Sequence, residues 1–208
     1  TDNFTGYISE DTSFGRPACN EIISLMESSQ GVLWVGTWYG GLARFNKETG
    51  QFRYYFGEGD TLTIPRIRTL FQRTANSFYL GSDDGLYTFN TTTGECLPTD
   101  DEQNKESIYA CYQDREGGIW IGTYFSGVSY LSPKHKDIEW YYPNGTENSL
   151  SGNVISQFCE DPDGNIWIAT EDGGLNLFDP RTKKFKNHLL RSSNPNIGYH
   201  NIHALLYN

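Results

Sequence analysis

Four pairs of adjacent residues in this 208-residue chain carry flat aromatic rings or carboxylates at regularly spaced positions. They are Trp38-Tyr39, Asp83-Asp84, Tyr124-Phe125 and Glu171-Asp172. An aromatic face packs against the C–H groups of a sugar ring, and a carboxylate accepts hydrogen bonds from its hydroxyl groups. The eight residues are therefore predicted to bind a ligand, for which a glycan-derived oligosaccharide is the expected class. The alternative interpretation is that they are ordinary exposed loop residues.

Residues that could perform catalysis do not form a recognisable set. The chain has four histidines, His135, His188, His200 and His203. They do not recur at one repeat position, and none has an acid or nucleophile partner at a meaningful sequence spacing. The chain has no Gly-x-Ser-x-Gly motif and no glycine loop that would hold a phosphate group. We therefore predict no catalytic residues and no cofactor.

Two acidic turns resemble a fragment of a calcium-binding loop. One contains Asp161, Asp163 and Gly164, and the other contains Asp114, Glu116 and Gly117. The later ligands of an EF-hand loop are missing, whereas Asp and Gly directly satisfy the requirements of a hairpin turn. The turn interpretation is favoured, and no metal site is predicted.

The four variable pairs belong to a repeat that runs through the chain. Its aromatic anchors are separated by 45, 41 and 47 residues, about the length of one four-stranded propeller blade; they are Trp34, Tyr79, Trp120 and Trp167. An isoleucine stands twelve residues before each anchor and begins an apolar strand: Ile22, Ile67, Ile108 and Ile155. We expect the anchors to pack between neighbouring blades, with each indole N–H on a backbone carbonyl.

The pattern predicts an all-β fold, a β-propeller built of four-stranded antiparallel blades of about 44 residues. The chain is predicted to be a single partial propeller with repeats at 22–66, 67–107, 108–154 and 155–201. Residues 1–21, with a strand from Phe4 to Tyr7, would end a preceding blade, and residues 202–208 would begin a fifth. A blade cannot bury both faces alone, so further blades of the same chain or a second copy are expected partners. In propellers the loop between the second and third strands lies around the central channel, which places the variable pairs there.

Composition and charge are consistent with this fold and exclude some classes of partner. Aromatic residues make up 15% of the chain and there are 22 glycines, a balance typical of sheets and tight turns. The net charge of −10 disfavours nucleic acid or an anionic membrane surface as a partner. No apolar run approaches the ~20 residues of a membrane span. Because Thr1 is not an initiator residue, we expect the chain to be a piece of a longer protein.

The four cysteines show neither a CxxC motif nor zinc-like spacing: Cys19, Cys96, Cys111 and Cys159. Cys111 and Cys159 fall at apolar strand positions, where a thiol usually behaves as a small hydrophobic group. A disulfide is the alternative.

The fourth copy contains Asp161-Pro162-Asp163-Gly164-Asn165-Ile166-Trp167-Ile168-Ala169-Thr170, followed by Gly173-Gly174-Leu175-Asn176-Leu177-Phe178-Asp179. This pattern resembles the two-component regulator propeller repeat. The lead-in from Asn148 to Ile155 fits the same pattern, and the likeness is good in three copies. The second copy departs from it, because Tyr79 replaces the Trp and residues 73–76 replace the acidic Gly turn.

This resemblance implies a periplasmic sensor region of a Bacteroides-type hybrid two-component system, anchored by a membrane helix and followed by a cytoplasmic histidine kinase that starts a phosphorelay. Many members of the family respond to oligosaccharides, so the resemblance implies a carbohydrate-sensing segment that is not itself catalytic. A propeller enzyme, either a lyase or a glycan-cleaving enzyme, and a protein-interaction scaffold are the alternatives.

Overall fold

The computed structural model describes residues 21–56, 62–64, 66–99, 105–133, 138–188 and 201–206. The chain divides into two compact units, residues 1–101 and 102–208, and each holds two four-stranded antiparallel sheets. The described residues contain no α-helix, so the predicted all-β fold of four-stranded antiparallel blades is confirmed. That part of the chain likewise has no helix with the length and apolar character of a membrane span. The predicted strand from Phe4 to Tyr7 lies outside the described residues.

In the first unit each sheet is a meander whose strands neighbour one another in chain order. Its first sheet comprises β1 (Ile22–Glu27), β2 (Leu33–Thr37), β3 (Leu42–Phe45) and β4 (Phe52–Tyr55). Its second sheet comprises β5 (Ile67–Thr74), β6 (Ser77–Ser82), β7 (Gly85–Asn90) and β8 (Cys96–Pro98). The isoleucines predicted to open the first strands do begin β1 and β5.

The second unit repeats this arrangement. One sheet comprises β9 (Ile108–Gln113), β10 (Ile119–Thr123), β11 (Val128–Leu131) and β12 (Ile138–Tyr141). The other comprises β13 (Ile155–Glu160), β14 (Ile166–Thr170), β15 (Gly174–Asp179) and β16 (Lys184–His188). We refer to the four sheets, in chain order, as blades 1 to 4.

The hairpin of the divergent second copy forms with a tighter turn. Strand β5 is eight residues long, and its pairing with β6 is irregular between Gln72 and Thr74. The guanidinium of Arg73 lies 5.4 Å from the centre of the Tyr79 ring. A cation on an aromatic face thus occupies the place where two other copies use an acidic turn.

Aromatic anchors join the two blades within each unit. Trp34 of blade 1 is 4% exposed and meets Phe78 and Phe89 of blade 2 edge-on, at ring-centre distances of 5.1 and 5.7 Å. Trp120 of blade 3 is fully buried and meets Phe178 of blade 4 edge-on at 5.4 Å. Edge-to-face pairs are a preferred aromatic geometry, and so large a buried ring contributes strongly to the core.

The indole N–H groups have a partner different from the predicted backbone carbonyl, so that expectation is wrong. Trp120 Nε1 donates to Asp114 Oδ2 at 2.9 Å, and Trp167 Nε1 donates to Asp161 Oδ2 at 3.2 Å. Each aspartate stands six residues before its tryptophan, in the acidic turn that links the first two strands of the blade. The turn therefore folds back and brings its carboxylate to the indole.

The same carboxylate organises the turn itself. Asp161 Oδ1 accepts hydrogen bonds from the backbone N–H groups of Asp163, at 3.0 Å, and Asn165, at 2.9 Å. Burial acts to raise the pKa of Asp161, but the hydrogen bonds from Asn165, Trp167 and Asp163 outweigh it and hold that pKa below its usual value. These contacts support the interpretation of the acidic motif as a turn. Among the described residues, no group of three or more His, Cys, Asp or Glu side chains is arranged to hold a metal ion.

The described cysteines, Cys96, Cys111 and Cys159, are free thiols. Burial raises the pKa of Cys96 and of Cys111 to about 12, which keeps both in the protonated form. For Cys111, this supports the interpretation as a small hydrophobic group. Cys19 lies outside the described residues.

The segment 201–206 runs beside blade 4 in the way that β5 runs beside β1. Ser24 Oγ donates to the carbonyl of Ile67 at 2.9 Å, and Ser156 Oγ donates in the same way to the carbonyl of Ile202. Ile202 N also donates to the carbonyl of Thr170 at 3.1 Å. Blades 1 and 2 are thus joined by a hydrogen bond to the opening isoleucine of the second copy. Blade 4 makes a hydrogen bond of the same kind to Ile202, where a fifth copy was predicted to begin.

Candidate functional site

The loop between the second and third strands is closed by the same hydrogen bond in every blade. A buried hydroxyl at the end of the second strand donates to the carbonyl of the glycine that precedes or begins the third strand. The pairs are Thr37 with Gly41 at 2.8 Å, Ser82 with Gly85 at 3.1 Å, Thr123 with Gly127 at 3.0 Å and Thr170 with Gly174 at 2.9 Å. The variable pairs lie inside these loops, so their scaffold is constant while their chemistry differs.

In blades 1, 3 and 4, the loop between the second and third strands lies beside the start of the first strand of the same blade. Trp38 N donates to the carbonyl of Glu21 at 2.9 Å, and Tyr124 N donates to that of Ser107 at 3.0 Å. Glu171 N donates to the carbonyl of Val154 at 2.9 Å. One edge of each of these blades therefore carries both the variable pair and the beginning of the first strand.

A β-bulge at this edge adds one more variable side chain in every blade. The pairing of the first two strands skips one residue just after the opening isoleucine. The skipped residues are Ile23, Arg68, Tyr109 and Ser156. Bulges re-aim side chains and are over-represented beside functional sites. Sequence reasoning missed these positions, although they vary between copies of the repeat as the loop pairs do.

In the first unit the structure brings Trp38, Tyr39 and Asp83 together around two arginines. The Asp83 carboxylate binds Arg66 Nη1 through one oxygen and Arg68 Nε through the other. The guanidinium carbons of Arg66 and Arg68 lie 4.5 and 5.3 Å from the centre of the Trp38 ring. Asp84, by contrast, is exposed, and its backbone N–H donates to Ser82 Oγ.

Charge pairing governs the electrostatics of this cluster. Burial acts to raise the pKa of Asp83, but the hydrogen bonds from Arg68 and Arg66 outweigh it, so the pKa lies below its usual value. The hydrogen bond to Asp83, supported by one to Tyr39, raises the pKa of Arg66. Neither arginine had been predicted as a site residue.

In the second unit, the corresponding residues of blade 3 form an aromatic surface. Tyr124 stacks on the bulge residue Tyr109, with ring centres 4.8 Å apart and planes inclined by 21°. Phe125 meets Tyr124 edge-on at 4.2 Å and is 67% exposed. An exposed ring held by a stacked pair is suited to the apolar face of a ligand.

The acidic pair of blade 4 divides between two roles. The Asp172 carboxylate accepts the backbone N–H groups of Asn153 and Val154 at 3.0 and 3.1 Å, and so fixes the lead-in to β13. Glu171 Oε1 lies 3.3 Å from His203 Nδ1. The prediction that no histidine has an acid partner at a meaningful sequence spacing did not anticipate this spatial pair. His203 stands one residue after Ile202, and a contact between neighbouring copies is invisible to an argument from local spacing.

Three stretches of the chain match the family model for the two-component regulator propeller: residues 17–39, 102–125 and 149–172. These three stretches are similar to two-component regulator propeller repeats. The matched stretches belong to the first, third and fourth copies and include the loop pairs of blades 1, 3 and 4. The loop pair of the divergent second copy, Asp83-Asp84, lies outside them. No curated protein gives a significant sequence match.

Solved structures are similar to this chain in their propeller fold. The extracellular domain of the hybrid two-component system BT4673 from B. thetaiotaomicron aligns with a TM-score of 0.73 at 17% identity, over 93% of this chain and 23% of that one. The extracellular domain of the hybrid system BT3049 from the same organism gives 0.68 at 23% identity, over 88% and 25%. Virginiamycin B lyase from Staphylococcus aureus gives 0.58 at 11% identity, over 86% and 58%. The chain therefore spans about a quarter of the length of the two extracellular domains.

Proposed function

We propose that the chain is a ligand-sensing, periplasmic segment of a hybrid two-component receptor, that its ligand is an oligosaccharide, and that it is not itself catalytic. The observation that carries the proposal is the corresponding edge of each blade. There the same loop and bulge present different side chains in each copy. The likeness to extracellular domains of hybrid two-component systems supports it. Such an edge provides recognition that can differ from copy to copy on a fold that stays constant.

The chemistry of blade 3 suits a sugar ring. Phe125 offers an exposed aromatic face, and the Tyr109–Tyr124 stack beneath it limits its movement. A preformed aromatic surface loses little conformational entropy when a ligand packs on it. Signalling then requires the ligand to bind one arrangement of the receptor more tightly than another.

The binding test uses the purified chain on an array of plant and host oligosaccharides, followed by calorimetry on the ligands found. Phe125→Ala should weaken binding about tenfold, the effect of losing ~1.4 kcal/mol of ring contact. Tyr142→Ala is the matched control, because Tyr142 is 58% exposed but lies outside the variable loops. Equal weakening by both substitutions, or no binding to any oligosaccharide, would contradict the proposal.

The receptor part of the proposal is tested by sequencing the reading frame on both sides of the chain. We expect further repeats, one membrane helix and a histidine kinase core. A frame that encodes none of these would exclude the receptor, whatever the chain binds.

A propeller enzyme is a second candidate, favoured by the His203–Glu171 pair and by the likeness in fold to virginiamycin B lyase. A carboxylate beside a histidine can orient it as a general base. Product release from any bound oligosaccharide, abolished by His203→Ala, would establish this alternative. Intact recovery of the ligand after long incubation would exclude it for that ligand.

A further inference from the structure

The guanidinium of Arg66 lies against the Trp38 ring at the variable edge of the first unit. We infer that Arg66, held on Trp38, binds the carboxylate of an acidic sugar in the oligosaccharide ligand. This inference rests on the proposed function and names the ligand class that the site accepts. It concerns only residues of the first unit.

Exposure makes Arg66 the group of this cluster that faces a ligand. Asp83 binds both guanidinium groups, and the Arg68 side chain is only 14% exposed. The Arg66 side chain is 34% exposed, so it presents positive charge to solvent. The acidic neighbours Glu21 and Asp84 are exposed, where water and salt screen their charge.

Contact with the Trp38 indole orients the Arg66 guanidinium to bind a planar anion. Arginine presents several N–H groups in one plane, and this fork matches the two oxygens of a carboxylate. The Trp38 ring on one face and the Asp83 carboxylate at Nη1 restrict the orientation of the fork before a ligand arrives. Tyr39, whose ring centre is 5.9 Å from the guanidinium carbon, is 59% exposed and can pack on the sugar ring that bears the carboxylate.

The fold itself does not require arginine at either position. The residues equivalent to Arg66 in the other blades are Glu21, Ser107 and Val154. The bulge residues equivalent to Arg68 are Ile23, Tyr109 and Ser156. Blades 1, 3 and 4 form the same sheet with these residues, which favours a recognition role for the arginine pair over a purely structural one.

The test measures binding of uronic-acid oligosaccharides, each paired with its carboxyl-reduced neutral counterpart, to the purified chain by calorimetry. The unchanged chain should bind the acidic member about tenfold or more tightly, because a hydrogen bond to a charged group is worth ~1.5–3 kcal/mol. Arg66→Gln should abolish this preference. Arg66→Lys should restore only part of it, since an ammonium group keeps the charge but lacks the fork.

Arg73→Gln is the matched control, because Arg73 also lies over an aromatic ring but at the β5–β6 turn. It should leave the preference unchanged. Urea unfolding of Arg66→Gln distinguishes a structural role from a role in binding. A loss of stability with an unchanged ratio of affinities for the acidic and neutral oligosaccharides would overturn the inference. Equal binding of the acidic and neutral members, or binding of sulfated oligosaccharides alone, would overturn it while the proposed function stands. Failure to bind any oligosaccharide would contradict the proposed function as well.

Discussion

At the scale of single residues, Asp161 links a turn to the buried side of its blade. It is 8% exposed, and its two oxygens accept hydrogen bonds from backbone N–H groups and from the Trp167 indole. Asp114 makes the equivalent bond to Trp120 in blade 3. The acidic motif and the Trp motif of the repeat are therefore one structural unit, joined by a charge-assisted hydrogen bond.

Removing this carboxylate should destabilise blade 4. Asp161→Ala is expected to lower the free energy of unfolding by about 2–3 kcal/mol, because it leaves several N–H donors in a poorly solvated turn without an acceptor. Asp163→Ala, an exposed substitution in the same turn, should change it by no more than about 0.5 kcal/mol. Urea unfolding followed by tryptophan fluorescence measures both, and similar values for the two variants would contradict the role given to Asp161.

The same residue predicts a pH dependence. Its pKa is lower in the folded state than in the unfolded state, so its contribution to stability is complete above the unfolded pKa of about 3.9 and is lost as pH falls through the folded pKa. The stability difference between the unchanged chain and Asp161→Asn should therefore be constant from pH 7 to pH 5 and shrink below about pH 4. Unfolding curves across this range test it, and a difference that grows on acidification would refute it.

At the scale of strands and blades, close approach of neighbouring copies explains a glycine in the Trp-x-Gly-Thr motif. A Cβ atom on Gly122 of β10 would come within 2.5 Å of Ile155 Cγ2 on β13. Blade 4 has Ala169 at the equivalent position. The glycine therefore reflects contact with the next blade more than a demand of the strand itself.

Gly122→Ala should lower the free energy of unfolding by about 1–3 kcal/mol, the usual cost of overpacking a core. Ala169→Gly, at the same repeat position, should cost only about 1 kcal/mol through added flexibility of the unfolded chain. Chemical denaturation of both variants makes the comparison. A Gly122→Ala chain as stable as the original would show that blades 3 and 4 are packed less closely than described.

The sequence predicted the strands better than the site. The spacing of Trp34, Tyr79 and Trp120 gives the length of the repeat directly from the sequence. The number and order of the strands could therefore be predicted from it. The bulge at Arg68 depends on backbone register, which alternation of apolar residues does not reveal. The Arg68–Trp38 and His203–Glu171 contacts join neighbouring copies, and only the packed structure brings those positions together.

At the scale of the molecule, contacts between neighbouring copies continue to the last described residues. Ser156 Oγ donates to the carbonyl of Ile202, and Ser24 Oγ, one repeat position further along its strand, donates to the equivalent carbonyl of Ile67. Ser156→Ala should therefore cost about 1 kcal/mol of stability, because it removes the hydroxyl that donates to the Ile202 carbonyl. Leu206→Ala is the control, because Leu206 is 89% exposed and should tolerate the change. Thermal unfolding distinguishes them, and equal melting temperatures would argue against a fifth copy at this position.

The repeated bulge also bears on how such a protein diversifies. Its residues, Ile23, Arg68, Tyr109 and Ser156, are absent from the two hydrophobic clusters of the described core. When a gene segment that encodes one blade is duplicated, the new copy inherits a complete folding unit and a position that the core does not constrain. Mutation can then change the side chain at this position in one copy without a penalty in the others, so the chemistry of the edge can diverge step by step while the fold stays constant.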